Sequence, residues 1–276
     1  MPQANATWVF FALTFAFTFV LQLPGALARQ GVIPGDPALY MGPAMLGIFG
    51  PLVAASYLSW KEGRLRELFS GLLAFRVSPK YMLLGLFAPG ILLSAVLWMM
   101  RGAGREGAWY FLPDAPHLVF GLVISVAEEV GWRGYALPRL SAKYGAFLGS
   151  CVLGVLWAAW HIPMLMAVNV PASLGLVLLL LFIGGSLFFT YLVQKTGGSL
   201  FVAVLAHLGS HLNNSHAALP ADTFPCVVHA VVYAALGFVC MRSAAFQLPR
   251  RLTPLPATGR SGYPRSSNAH RQTLSS

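Results

Sequence analysis

The stretch LGLVLLLLFIGGSLFFTYLVQ, residues 174–194, decides the fold class. It runs for 21 residues without an Asp, Glu, Lys or Arg, and a helix needs about 20 mostly apolar residues to cross roughly 30 Å of hydrocarbon. Comparable runs lie outward from it at about 7–28, 39–60, 81–100, 117–137, 145–166, 198–214 and 223–242. They are separated by turn or charge signals such as Pro34-Gly35-Asp36, Lys61-Glu62-Gly63-Arg64 and Arg101-Gly102-Ala103-Gly104-Arg105. Of the 276 residues 57% are apolar and 9% charged, against about 25% charged in a soluble domain. So few charges cannot cover a soluble globule. The sequence reads as an all-α, polytopic membrane helix bundle of about eight spans over residues 1–245. The near-continuous 174–214 region leaves counts of seven or nine open. Residues 246–276, rich in Pro, Ser, Thr and Arg, read as a disordered basic tail.

The net charge of +10 does not point to nucleic acid, because the basic residues sit in loops and the tail. With the N-terminus inside, fourteen Lys and Arg fall on inner segments and only Arg29, Arg101 and Arg105 on outer ones. That bias orients both termini to the cytoplasm of what is expected to be a bacterial plasma membrane. Ala26-Leu27-Ala28 resembles a cleavage site, but no basic residue precedes the long apolar run, so a retained first helix is expected. Cys151, Cys226 and Cys240 lie within apolar spans without CxxC spacing and read as core residues. The charged segment 62–80, with interspersed Leu and Phe, reads as an amphipathic helix on the inner face or as a solvated linker helix.

Two acidic residues, Glu128 and Glu129, lie near the middle of the fourth span, with Arg133 behind them. An ionisable group at that depth costs at least about 2.5–3.5 kcal/mol and usually marks a site or a pathway. Glu129 and Arg133, four apart, share a helix face in the favourable order and predict a buried ion pair. Glu128 points roughly 140° away from Arg133 at 100° per residue, which leaves it without that partner. The plain alternative is that both carboxylates only hold the bundle together. His161 ends the apolar run 152–161, just before Pro163, and His207 and His211 stand four apart in the seventh span. A membrane histidine is often only an interhelical hydrogen-bonder, and HxxxH alone is a weak metal signal. Taken together, one carboxylate and imidazoles from separate spans can meet only inside the bundle. They form equipment for activating water.

At these residues the chain resembles the CPBP family of intramembrane proteases, also called the ABI family. That family includes CAAX prenyl endopeptidases and bacteriocin-processing or immunity proteins. Its EExxxR motif is matched by Glu128-Glu129-Val130-Gly131-Trp132-Arg133, and its aromatic-xxx-His motif by Trp157 and His161. The third motif, His followed four residues later by Asn or Asp, is met by His207 but carries His211 at the fourth position, with Asn213 and Asn214 beyond. The resemblance covers about 115–215. It implies an endopeptidase acting on a membrane-associated peptide or protein. In it Glu128 and His161 activate water, Glu129 and Arg133 hold the helix, and His207 binds the substrate carbonyl or a metal. His211, Asn214 or Trp157 then takes the oxyanion or substrate. It leaves open a divalent metal such as zinc on His161, His207 and His211, or a metal-independent water. Two other functions compete: an inactive immunity or scaffold protein, and a proton-coupled transporter, since intramembrane Glu and His also build proton relays.

Overall fold

A computed structural model describes residues 3–102, 114–212 and 223–243, and it is helical, with no strand among the described residues. The basic tail expected from residue 246 onward lies outside the described residues. In chain order the helices are α1 (Gln3–Arg29), α2 (Met41–Gly47), α3 (Gly50–Lys61), α4 (Leu65–Ser70), α5 (Pro79–Gly102) and α6 (Ala115–Glu129). A π-helical turn, Val130–Ala136, follows without a break, and then come α7 (Leu137–Trp160), α8 (Ile162–Ala167), α9 (Gly175–Lys195), α10 (Leu200–His211) and α11 (Thr223–Ser243). Among the described residues five segments are long and apolar enough to cross a membrane: Asn5–Arg29, Pro37–Lys61, Pro79–Val96, Ala115–Ala167 and Ala172–Lys195. The chain is a polytopic helical membrane protein.

The second span is not one helix. Pro51 in the first turn of α3 has no N–H to offer and crowds the carbonyl four residues back, so α2 and α3 are separate. Side chains of α1 take up the carbonyls beside the break: Thr18 donates to the Gly47 carbonyl at 2.7 Å and Gln22 to that of Ala44 at 3.1 Å. Freed backbone groups inside a membrane protein need such partners.

Ala115–Ala167 is 53 residues long and holds the fourth and fifth expected spans. The chain reverses at Gly145, whose φ of 73° and ψ of 161° suit glycine alone. A Cβ on Gly149 would lie 2.9 Å from the Leu140 carbonyl carbon, a contact that only a fold-back allows. α10, with 12 residues, is about 18 Å long and does not by itself match the bilayer core. The segment after Lys61 forms only the short α4 and a 3₁₀ turn, Gly71–Leu73. Arg64 grips Glu67 through two 2.7 Å hydrogen bonds, which hold that carboxyl below the usual carboxylate range.

The best-buried side chains gather round the π turn. Trp132 and Tyr135 are fully enclosed, with Phe10 of α1 edge-on to the Trp132 ring at 5.7 Å. Gly131 sits so close to α3 that a Cβ there would fall 2.5 Å from Pro51 Cβ and 2.7 Å from its carbonyl. Tyr135 Oη donates to Glu62 at 2.8 Å, which also takes a hydrogen bond from Arg139. This end of the turn is therefore tied to α3 and opens on a cavity of about 150 Å³ whose lining includes Glu62, Arg64, Glu67 and Arg139.

Candidate active site

The site is built where α6 gives way to the π turn. A π turn bonds each N–H one residue further back than an α-helix does, and such turns gather at functional sites. Glu128 and Glu129 are the last two residues of α6, and Trp132 and Arg133 lie in the turn itself. Glu128 is 3% exposed, and Glu129 and Arg133 are 0%. Glu129 Oε1 accepts from Arg133 Nη1 at 2.8 Å. The guanidinium lies over two rings, 4.5 Å from the centre of Trp157 and 4.8 Å from that of Phe189.

Glu128 turns the other way. Its Oε2 accepts the indole N–H of Trp132 at 3.2 Å and that of Trp157 at 2.7 Å. The two donors fix the carboxylate plane and leave Oε1 facing His207 Nε2 at 4.0 Å. That gap is too wide for a direct hydrogen bond. His207 Nδ1 is 2.8 Å from Glu129 Oε1. With Nδ1 protonated toward Glu129, it is Nε2 that faces Glu128. Glu129 therefore does more than pair with Arg133, since it also orients the imidazole.

His161 caps α7 with its Nδ1 2.8 Å from the Trp157 carbonyl, so Nδ1–H donates there and Nε2 is the other nitrogen. The Trp157 ring touches both imidazoles, 5.8 Å from His161 and 5.6 Å from His207. His211 stacks on His207, with ring centres 5.1 Å apart and planes 12° from parallel. The indole N–H of Trp157, one of three candidates for an oxyanion or substrate donor, is engaged with Glu128. Asn214, another of the three, lies outside the described residues. Among the described residues no three His, Cys, Asp or Glu side chains come together closely enough to hold one metal ion. His161, His207 and His211 are thus not gathered into one donor set.

Besides the Trp157 indole on Glu128, sequence reasoning missed two contacts. Trp132 stands four after Glu128, a visible signal, because donors at i+4 share a face. The Glu129–His207 contact joins residues 78 apart, and no local pattern announces it.

A bundle of apolar helices around a buried Glu-Glu-Arg-His cluster, reached by aromatic N–H donors, defines an intramembrane protein with the equipment for acid–base chemistry. Residues 111–213 match the family model described as type II CAAX prenyl endopeptidase Rce1-like. The chain is also 26% identical over 239 residues to CAAX prenyl protease 2 of Methanococcus maripaludis, an alignment covering 78% of this chain and 86% of that protein. The stretch that carries the site motifs is thus similar to CAAX prenyl endopeptidases.

Proposed function

We propose that this chain is an intramembrane endopeptidase that hydrolyses a peptide bond in a membrane-associated substrate. The substrate class favoured is a prenylated C-terminus, in line with its similarity to a CAAX prenyl protease. The observation that carries the reading is the Glu128 carboxylate, buried, with one oxygen held by two indoles and the other turned toward His207.

Chemically, Glu128 Oε1 takes a proton from a water held between it and His207, and the water oxygen attacks the scissile carbonyl carbon. His207, held in place by Glu129, offers Nε2–H to the oxyanion that forms. His161, its Nδ1–H committed to the backbone, presents Nε2 as a second acceptor near the water. When the C–N bond breaks, the proton held on Glu128 passes to the leaving amine, which restores the carboxylate. His211 lies behind His207, where it supports that ring. Glu129 and Arg133 hold both helices in register. The charge inventory suits this cycle, with two carboxylates against one guanidinium. One mobile proton shared by Glu128 and His207 balances the cluster.

The test uses purified protein in liposomes, offered farnesylated and unprenylated peptides of the same sequence. The wild type is expected to cleave the farnesylated peptide. Glu128→Gln is expected to lose about a thousandfold in kcat while keeping its unfolding midpoint, in keeping with loss of a positioned general base. Cleavage surviving in Glu128→Gln would overturn the mechanism. A wild type that cleaves neither peptide would favour the inactive scaffold function. Elemental analysis of the purified protein and of His207→Gln decides the metal question, since one zinc per chain that vanishes with His207 would replace the water held by side chains alone. We further propose that the protein spans a plasma membrane with both termini cytoplasmic, the side on which most of its basic residues would lie.

A further inference from the structure

The cluster around Arg133 contains four polar atoms without a hydrogen-bond partner among the described residues. They are Glu129 Oε2, Arg133 Nε, Arg133 Nη2 and the hydroxyl of Tyr233. All belong to buried residues. An unpaired buried group costs about 1–3 kcal/mol, and more when charged, and folded proteins pair the large majority of such groups with protein or with ordered water.

Tyr233 comes from α11, outside the 111–213 family match and outside every motif read in the sequence. Close packing of α9 on α11 brings it to the cluster. A Cβ on Gly184 would fall 2.6 Å from the Ala234 backbone. At Gly185 a Cβ would lie 3.1 Å from Tyr233 Cε1 and 3.6 Å from Trp157 Cζ3, so the two rings meet over this glycine. Trp157 is the ring that carries the Arg133 guanidinium. Tyr233 also lies within electrostatic reach of both Arg133 and Glu129. Its ring stacks on His229 and packs on Phe188, at 5.8 and 6.0 Å between centres. Those neighbours fix the ring.

We infer that Tyr233 is a positioning residue. Its hydroxyl joins Glu129 Oε2 and the two open Arg133 nitrogens through a buried water, and so holds the Glu129 carboxylate in place to orient His207. The complement of groups suits one water. Its oxygen accepts from the two Arg133 N–H groups, and its two hydrogens go to Glu129 Oε2 and the Tyr233 hydroxyl oxygen, within the two to four partners a buried water needs. The effect on rate rests on the hydrolase reading above, because what Glu129 orients is the imidazole facing Glu128. The hydrogen-bond network does not rest on it.

Tyr233→Phe keeps the ring and removes only the bridge. In the full chain in liposomes it is expected to lower kcat for the farnesylated peptide about tenfold, the size of one hydrogen bond to a charged group, with KM unchanged and folding retained. A second measurement needs no activity. Nitrogen-15 spectra of labelled imidazoles, with the His207 signal identified by its loss in His207→Gln, should show Nδ1 fully protonated in the wild type and a fraction of rings without Nδ1–H in Tyr233→Phe. If the hydroxyl were idle, its removal would be neutral or stabilising, with kcat and Nδ1 protonation as in the wild type, and that result would overturn the proposal. Should the wild type cleave nothing, the hydrolase reading falls while the Nδ1 measurement still decides the role of Tyr233.

Discussion

At the scale of single residues, two adjacent glutamates differ because their neighbours differ. Glu129 is enclosed with a guanidinium and an imidazole, whereas Glu128 meets indole N–H groups and an open approach to His207. Their substitutions should separate accordingly. Glu129→Ala leaves Arg133 buried without its carboxylate, and loss of about 3–5 kcal/mol is expected, seen as a lowered unfolding midpoint in detergent before any assay of activity. Trp157→Phe keeps a ring beneath Arg133 and drops the N–H to Glu128. The expected result is a near-normal midpoint with kcat reduced about 10- to 100-fold, the worth of one hydrogen bond to a charged group. A Trp157→Phe variant with full activity would mean that the indole merely packs. The ion pair was legible from i, i+4 spacing. The role of Trp157 was not, because a tryptophan in an apolar run shows no hydrogen-bond direction until the facing helix is known.

At the scale of elements, the π turn Val130–Ala136 is what lets Glu128, Glu129, Trp132 and Arg133 divide between two neighbours. Its seat against α3 depends on the missing Cβ of Gly131. Gly131→Ala is expected to cost about 1–3 kcal/mol through overpacking and to lower activity with it, since the same turn carries Arg133. Gly145→Ala should cost about 1–2 kcal/mol for its left-handed backbone. Gly175 offers the contrast: it opens α9 with nothing within 4 Å of a would-be Cβ, so Gly175→Ala should leave the midpoint unchanged or slightly raised. Denaturation of the three variants in one detergent checks the order. Hydropathy located the helices well, because lipid forces every spanning backbone to satisfy itself. It did not show the break between α2 and α3 as a structural event, nor the π turn, since both leave the run of apolar residues intact.

At the scale of the whole molecule, the helices α1, α3, α7, α9 and α10 close round the turn, and Thr18 of α1 reaches Trp160 of α7 at 2.8 Å. Orientation belongs to this scale as well. A fluorescent protein that folds only in the cytoplasm, fused after residue 276, is expected to fluoresce, and a phosphatase active only outside is expected to stay silent. The opposite pair of results would reverse the topology drawn from the basic residues.

What the chain's residues determined by themselves was the solvent. Too few charges and too many 20-residue apolar runs leave lipid as the only medium, and an acid at that depth must then face inward. The order of the motifs along the chain was equally plain, since it is a local property. Which nitrogen of His207 meets Glu129, which oxygen of Glu128 stays open, and the arrival of Tyr233 from α11 were decided by tertiary packing alone. Each of these contacts joins residues far apart in sequence, and apolar periodicity constrains which face of a helix is buried without saying what the neighbouring face brings to it.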